Sequence, residues 1–366
     1  MQNHISNKLE GIYLKLLERI TNGEWSIGHR IPTEIELSTE FMCSRGTVSR
    51  AVARLVHEGL IERKTRAGTK VVRNVLERST NTLDLDACAF IHPSDQHEAV
   101  QRIVQGFQTA AHRENRRVLT LTTGTDYRKE AEIIGRLAEF NVKGAVVYPV
   151  ILNPQDNIYY RQMILACAFP IVLAELNIPG SGCPVVGIDG LHAGYVMTQH
   201  LLRQGARRIG FIANYAWTQN VRDKYLGYRQ ALNEAGLAEN LDDIFLDWSM
   251  DLNFENLLGE PTGIARNFMG KHPDLEGIVC ADDFLAHGCL TVAREMGIAI
   301  PEKLRVAGMD DFQFLHPEEI GLTTYRVPYE QIGQRTFETL EILLKGLPLP
   351  HREIQVRGEL VVRRSA

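Results

Sequence analysis

From Ala87 onward the chain alternates short apolar runs with longer amphipathic stretches, and this alternation constrains its fold more than any other feature. The runs are 87–91, 117–122, 144–148, 170–174, 185–188, 208–213, 277–280 and 305–309. Helical periodicity fills most of the gaps, as over 99–115, 128–141, 191–204 and 223–235. Strand–helix–strand repetition is the signature of α/β architecture with parallel sheets, in which ligands sit at the carboxyl ends of strands. The 280 residues involved divide into two lobes. The first is expected at about 87–187 and 328–346, the second at about 190–323 and 351–366, with crossovers near 187–190, 324–328 and 347–351.

Polar groups follow several strand ends: His92 and Ser94, Glu175, Asp189, Asp282 with Asp283, and Asp310 with Asp311. Singly, an aspartate there caps the next helix. Gathered along the facing edges of two sheets, they form a hydrogen-bonding cleft. Pairs such as Asp282/Asp283 could serve acid–base chemistry, but adjacent residues at a strand end point in different directions, and binding sugar hydroxyls needs only acceptors.

The first 73 residues differ in kind. They hold twelve Lys/Arg against eight Glu and no Asp, a net of +4, while the remainder carries −9. Leu9, Ile12, Leu16, Leu17 and Ile20 mark a one-faced helix ended by Gly23. Thr33 and Glu36 form a capping-box pattern that opens a second, short helix. Ser44 N-caps a third helix, running to about Glu58, whose apolar stripe is Val48, Ala51, Val52 and Leu55. Off that stripe lie Gly46, Thr47, Ser49 and Arg50, with Arg45 at its margin. A basic hairpin follows, with Arg66 and Gly68 at its tip. Three short helices and a basic hairpin make a winged helix-turn-helix, which places its last helix in a major groove. The DNA-facing candidates are Thr33, Glu34, Ser44, Arg45, Gly46, Thr47, Ser49, Arg50, Arg66 and Gly68. Residues 74–86 are polar and aperiodic and read as a linker.

The head resembles the GntR type of winged helix. The match runs through WSIGHRIPTEIELSTEF at 25–41, SRGTVSRAV at 44–52, HEGLI at 57–61 and AGTKV at 67–71. By that resemblance Arg45 and Thr47 take the places of DNA contacts, and Gly68 that of a wing-tip glycine. Two departures alter the operator expected: Ser49 stands where the family usually has Arg, with Arg50 one place later, and Arg66 replaces the first wing glycine.

The larger part resembles the effector domain of the LacI/GalR family. Its motifs are VGIDGLHAG at 186–194, HLLRQGARRIGFI at 200–212, GYRQAL at 227–232, EGIVCADDFLAHG at 276–288, VAGMDDF at 306–312 and LTTYRVPYEQIG at 322–333. The resemblance implies effector contacts at Glu175, Asp282 and Asp310, with Trp248 as an aromatic stacked on the ligand. The family's pocket arginine is Lys224 here, with Arg222 nearby, and either could enter the pocket. The family's hinge helix is missing, and a winged helix joined to such a domain is similar in layout to arabinose repressors.

The 44% hydrophobic and 23% charged composition is that of a folded chain. No stretch approaches the roughly 20 apolar residues of a membrane helix, and the first residues lack a signal-peptide core. The expectation is therefore a cytoplasmic protein without a membrane partner. Six scattered cysteines, without C-x-x-C or histidines at metal-ligand spacing, read as reduced thiols; no metal or cofactor is expected. The motifs of α/β hydrolases, P-loop enzymes, zinc proteases and dinucleotide-binding enzymes are lacking. The function expected is a ligand-responsive transcriptional regulator: a homodimer on a near-palindromic operator, relieved of repression by a neutral sugar. A sugar-processing enzyme or a sugar-binding protein on the same scaffold is the alternative.

Overall fold

The computed structural model describes residues 2–57, 59–64, 68–72, 86–124, 126–151, 154–248, 257–313 and 321–366. The chain divides into two units, Met1–Leu83 and Asp84–Ala366.

The first unit contains α1 (Gln2–Thr21), α2 (Glu34–Glu40), α3 (Arg45–His57) and an antiparallel hairpin of β1 (Ile61–Lys64) and β2 (Gly68–Val71). Its core gathers Leu16 and Ile20 from α1, Leu37 from α2, the Val48/Ala51/Val52/Leu55 stripe of α3, and Val71. All eight of these are at most 1% exposed, so the stripe read from the sequence is the face that α3 buries. Thr33 and Glu36 form the expected capping box. The linker reading falls outside the described residues except at Asp86.

The second unit begins with β3 (Ala87–His92), α4 (Glu98–Arg113), β4 (Arg117–Thr122), α5 (Tyr127–Leu137), β5 (Gly144–Val147), α6 (Asn157–Ala166), β6 (Ile171–Ala174) and β7 (Val185–Ile188). The chain then crosses into a second lobe. There it forms α7 (Gly190–Arg203), β8 (Ile209–Ala213), α8 (Gln219–Glu234), β9 (Ile244–Leu246), α9 (Gly259–Lys271), β10 (Gly277–Cys280), α10 (Asp283–Met296), β11 (Arg305–Asp310) and β12 (Thr323–Arg326). It returns for α11 (Tyr329–Leu344) and β13 (Glu353–Val356) and crosses once more to β14 (Glu359–Val361). The first sheet has the order β13-β7-β6-β5-β3-β4 and is parallel throughout. The second has the order β14-β12-β11-β10-β8-β9 and is parallel except for β14, which runs antiparallel to β12.

One boundary needs correction. The last crossover lies between Val356 and Glu359 rather than near 347–351, because β13 pairs in register with Val185–Ile188 and covers the open edge of β7. Residues 353–356 therefore belong to the first lobe. Their Glu-Ile-Gln-Val pattern alternates between exposed and half-buried positions, as expected of an edge strand.

Helix α7 packs on α8 so closely that a Cβ on Gly194 would lie 1.8 Å from the Lys224 carbonyl oxygen. Any side chain there would push α8, and Lys224 with it, away from α7.

Candidate functional site

In the head, Gly46 is exposed on α3, and a Cβ built there meets nothing nearer than Ser44 Oγ at 3.9 Å. Ser44 Oγ accepts from the Thr47 amide at 3.2 Å and shares a 2.8 Å hydrogen bond with Thr47 Oγ1, so both hydroxyls are held at the start of α3. Arg45 and Arg50 are exposed, and Ser49 is partly so. Glu34, at the start of α2, lies 3.6 Å from Arg45 Nε and pairs closely with Arg63 of β1. This carboxylate links the front of α3 to the wing strand. Thr33 is engaged by its cap. Gly68 has φ +84°, a backbone conformation that favours glycine, and the Arg30 guanidinium packs over the space beside it. Arg66 lies outside the described residues. Arg45, Gly46 and Arg50 thus share a solvent-exposed surface with little side-chain bulk at its centre.

In the second unit, a cavity of about 220 Å³ opens between the lobes, many times the roughly 10–15 Å³ that a single water needs. Glu175 reaches it from just past β6, Asp310 from the end of β11, Asp282 from the N-cap of α10, and Lys224 with Asn220 from α8. Glu175 and Asp310 have φ of +63° and +129°, conformations that non-glycine residues keep only where the surroundings impose them, commonly at functional sites. Lys224 is 6% exposed, and its ammonium donates to the Ala281 carbonyl at 2.7 Å.

Three carboxyls crowd one ammonium. Burial raises Glu175 to about 7, opposed by Lys224 and reinforced by Asp310. Burial likewise raises Asp310 and Asp282, and Lys224 opposes both shifts. The Tyr329 hydroxyl donates to Asp310 Oδ1 at 2.7 Å, and Asn220 Nδ2 to Glu175 Oε2 at 3.3 Å. Each of these bonds spans the two lobes, as does the 2.9 Å contact from the Gln313 amide to the Glu98 carboxylate. Aromatic walls come from Tyr148, Tyr215, Phe284, Phe312 and Tyr329.

The sequence reading placed some residues in this cavity that the structure places elsewhere. His92 is 1% exposed and directs Nδ1 to the Ser94 carbonyl at 3.2 Å; Ser94 Oγ accepts from the Gln96 amide at 3.0 Å. Both fasten the turn after β3, and the residues of that turn that line the cavity are Pro93 and His97. Arg222 is exposed and donates to Gln219 at 3.2 Å, so Lys224 is the basic group in the cavity. Trp248 is 64% exposed, two residues past edge strand β9, and does not line the cavity. The paired aspartates split between the cavity and the protein interior. Asp283 accepts from Thr324 Oγ1 at 2.6 Å and the Phe312 amide at 3.0 Å, while Asp311 is held by Arg326 and Arg363. Asp189 caps α7 and pairs with Arg357.

Among the lining residues that escaped the sequence reading, His97 and Asn220 carry buried polar atoms without a partner. His97 sits between Phe284 and Phe312, with ring centroids 6.0 and 5.5 Å away, and burial lowers it to about 4, which makes it a neutral imidazole. Asn220 lies one helical turn before Lys224 and hence on the same face of α8. The buried atoms His97 Nδ1, Asn220 Oδ1 and Glu175 Oε1 have no protein partner. Buried polar atoms are nearly always hydrogen-bonded, and three such orphans on one cavity mark where a ligand's polar groups belong.

Comparisons with known proteins agree with this division. Residues 8–71 match bacterial regulatory proteins of the gntR family, and residues 198–366 match a periplasmic binding protein-like domain. The arabinose metabolism transcriptional repressor of Geobacillus stearothermophilus is 26% identical over 355 residues, covering 96% of this chain and 95% of that protein. The transcriptional regulator GalR of Escherichia coli K12 is 26% identical over 238 residues, 65% of this chain and 66% of that one. A complex of the transcriptional regulator CelR with cellobiose shares the fold, with a TM-score of 0.66 and 22% identity over 92% of this chain and 100% of that one. The transcription regulator GntR of Chromobacterium violaceum gives a TM-score of 0.61 at 25% identity, over 76% of this chain and 98% of that one.

Proposed function

The chain is a transcription regulator that joins a GntR-type winged helix-turn-helix to a LacI-type, periplasmic-binding-protein-like domain, and from that premise we propose that it is a repressor whose hold on operator DNA is set by a neutral sugar bound between the lobes. The observation that carries the sugar reading is the set of orphaned polar atoms beside three carboxyls and one ammonium. Carboxylates and the Asn220 oxygen accept from vicinal hydroxyls, Lys224 donates to a ring or hydroxyl oxygen, and the aromatic walls cover C–H faces. A sugar phosphate or sugar acid would bring negative charge to a site already rich in it. The sugar-processing alternative is set aside, because the relatives and similar structures are transcription regulators and not enzymes.

The DNA contacts we assign are Arg45, Thr47 and Arg50 on either side of Gly46, with Ser44 and Ser49 beside them, Thr33 and Glu34 at the start of α2, and Arg66 with Gly68 at the wing. One helix in one groove reads too few bases for specificity, so a homodimer on a near-palindromic operator follows. Within the first lobe, the outward face of α4 over 101–112 would carry much of the dimer surface. Light scattering at micromolar concentration should report a dimer, and a monomer that binds DNA as one copy would contradict this. Bound sugar bridges the lobes, alters how paired subunits hold their heads, and releases the operator. The coupling is reciprocal and typically about 1–3 kcal/mol. This work takes place on DNA in the cytoplasm.

Thermal shift with L-arabinose, D-ribose, D-glucose and D-galacturonate tests the reading, arabinose coming first because the relatives repress arabinose metabolism. A neutral sugar should raise Tm, since it binds the native state, and galacturonate should not. A response to galacturonate alone would overturn the neutral-sugar assignment.

The response should depend on pH. Glu175 is raised to about 7, so its share of stability in the empty protein is full below the ordinary carboxylate range and is lost as pH rises through about 7. A hydroxyl donating to Glu175 favours the ionised form. The sugar-induced rise in Tm should therefore grow from about pH 6 to about pH 8, and Glu175→Gln should flatten that growth.

A further inference from the structure

Val150 and Ile151 line the effector cavity, yet they belong to no strand or helix, following β5 by three and four residues. Their anchor is buried on the side away from the ligand. The Val150 amide donates to Tyr160 Oη at 2.7 Å, and the same hydroxyl lies 3.0 Å from the Val150 carbonyl oxygen. Tyr160, on α6, is 1% exposed, and its hydroxyl also donates closely to Oε2 of Glu130 on α5, which is 0% exposed. Neither side chain lines the cavity.

We infer that Tyr160 and Glu130 are positioning residues of the effector site: Glu130 accepts the hydrogen bond of the tyrosine hydroxyl, which turns an oxygen lone pair toward the Val150 amide and fixes the Val150–Ile151 wall against which the ligand packs. This rests on the reading of the cavity as the effector site. The geometry accounts for a buried carboxyl that is otherwise hard to explain. Its Oε1 has no hydrogen-bond partner among the described residues, and burial, opposed only by the Tyr160 hydroxyl and the Val150 backbone, raises it to about 7. A hydrophobic residue would fill the space between α5 and α6 at less cost, whereas only an acceptor can orient the tyrosine hydroxyl. Glutamine preserves that acceptor and the shape of the neutral acid.

The full-length chain and its Tyr160→Phe, Glu130→Gln and Glu130→Ala variants should be compared by amide hydrogen exchange over 147–151 without ligand. Dissociation constants for L-arabinose, D-ribose, D-xylose and D-glucose should be measured in parallel. Tyr160→Phe should speed exchange of the Val150 amide and weaken the tightest of these sugars about tenfold, the effect of one lost hydrogen bond, with DNA affinity in the absence of sugar unchanged. Glu130→Gln should retain near-native exchange and affinity, and Glu130→Ala should resemble Tyr160→Phe. A lowered Tm in Tyr160→Phe with native sugar affinity would reduce the pair to a packing role and overturn the inference, as would a Glu130→Gln variant as impaired as Glu130→Ala. If none of the four sugars binds the wild type, the sugar reading fails separately. The exchange data still decide: native Val150 protection in Tyr160→Phe overturns the inference, and its loss supports it.

Discussion

A Gly46→Leu variant is expected to lose specific operator binding, falling to the protein's own non-specific level, roughly 10³-fold or more, while its thermal stability is kept or raised. The stability half follows from the head itself. Gly46 lies in the first turn of α3, exposed, with the nearest atom to an added Cβ at 3.9 Å. Leucine would meet no clash in the free protein and would gain roughly 1 kcal/mol in helix propensity over glycine. The binding half follows from the neighbours. Arg45, Thr47 and Arg50 surround this position, and an isobutyl group among them would stand α3 off from base edges that short side chains must reach. Gel shift with a DNA fragment selected by the wild type, beside a thermal melt, separates the two halves. Retained specific affinity in a well-folded Gly46→Leu protein would remove α3 from the recognition surface.

An Asp310→Ala variant should bind the effector roughly 10–150-fold more weakly, the range set by about 1.5–3 kcal/mol for a hydrogen bond to a charged group. In the absence of effector it should bind operator as the wild type does. Asp310 ends β11 in a left-handed conformation, is 5% exposed, accepts from Tyr329 across the cleft and shares Lys224 with Glu175 and Asp282. Alanine removes one acceptor for a ligand hydroxyl and leaves the Tyr329 hydroxyl without its aspartate. It also lowers the negative charge facing Lys224, so a sugar acid should be tolerated better than by the wild type. Calorimetric titration with the sugar that most raises the wild-type Tm measures the change, and native affinity in Asp310→Ala would place the ligand elsewhere.

The parts of the fold legible in the sequence were those whose side chains face a core. Central strands such as 144–147 and 277–280 are buried throughout and read as continuous apolar runs. Strands β9, β13 and β14 went unread because each is a short sheet edge with at most half-buried positions, and the interior strand β12 went unread because its Thr-Thr-Tyr-Arg sequence, though buried at its first three positions, is no apolar run. The missed strand β13 accounts for the misplaced last crossover.

The candidate site follows the same division. Glu175, Asp282 and Asp310 were legible because a carboxylate directly after a strand lies at the sheet edge where ligands bind. His92 misled for a reason of direction: it is the last residue of β3 and is packed in the protein, and the chain must turn through Pro93 before His97 reaches the cleft. Trp248 misled because aromatic identity says nothing of position; the rings that line the cavity follow other strand ends or begin helices. His97 and Asn220 had a usable signal only in retrospect of helix phase, since Asn220 shares a face with Lys224.

In the proposed mechanism one ligand, held between the lobes, changes the hold of the heads on DNA. The most direct measurement is the affinity of the wild-type chain for a fluorescently labelled, self-selected operator fragment, by anisotropy, at increasing concentrations of the neutral sugar that raises its Tm. The account predicts a saturable fall in affinity of roughly 5–150-fold, which Asp310→Ala abolishes at the same sugar concentrations. A sugar that raises Tm in a saturable way yet leaves operator affinity unchanged would contradict it.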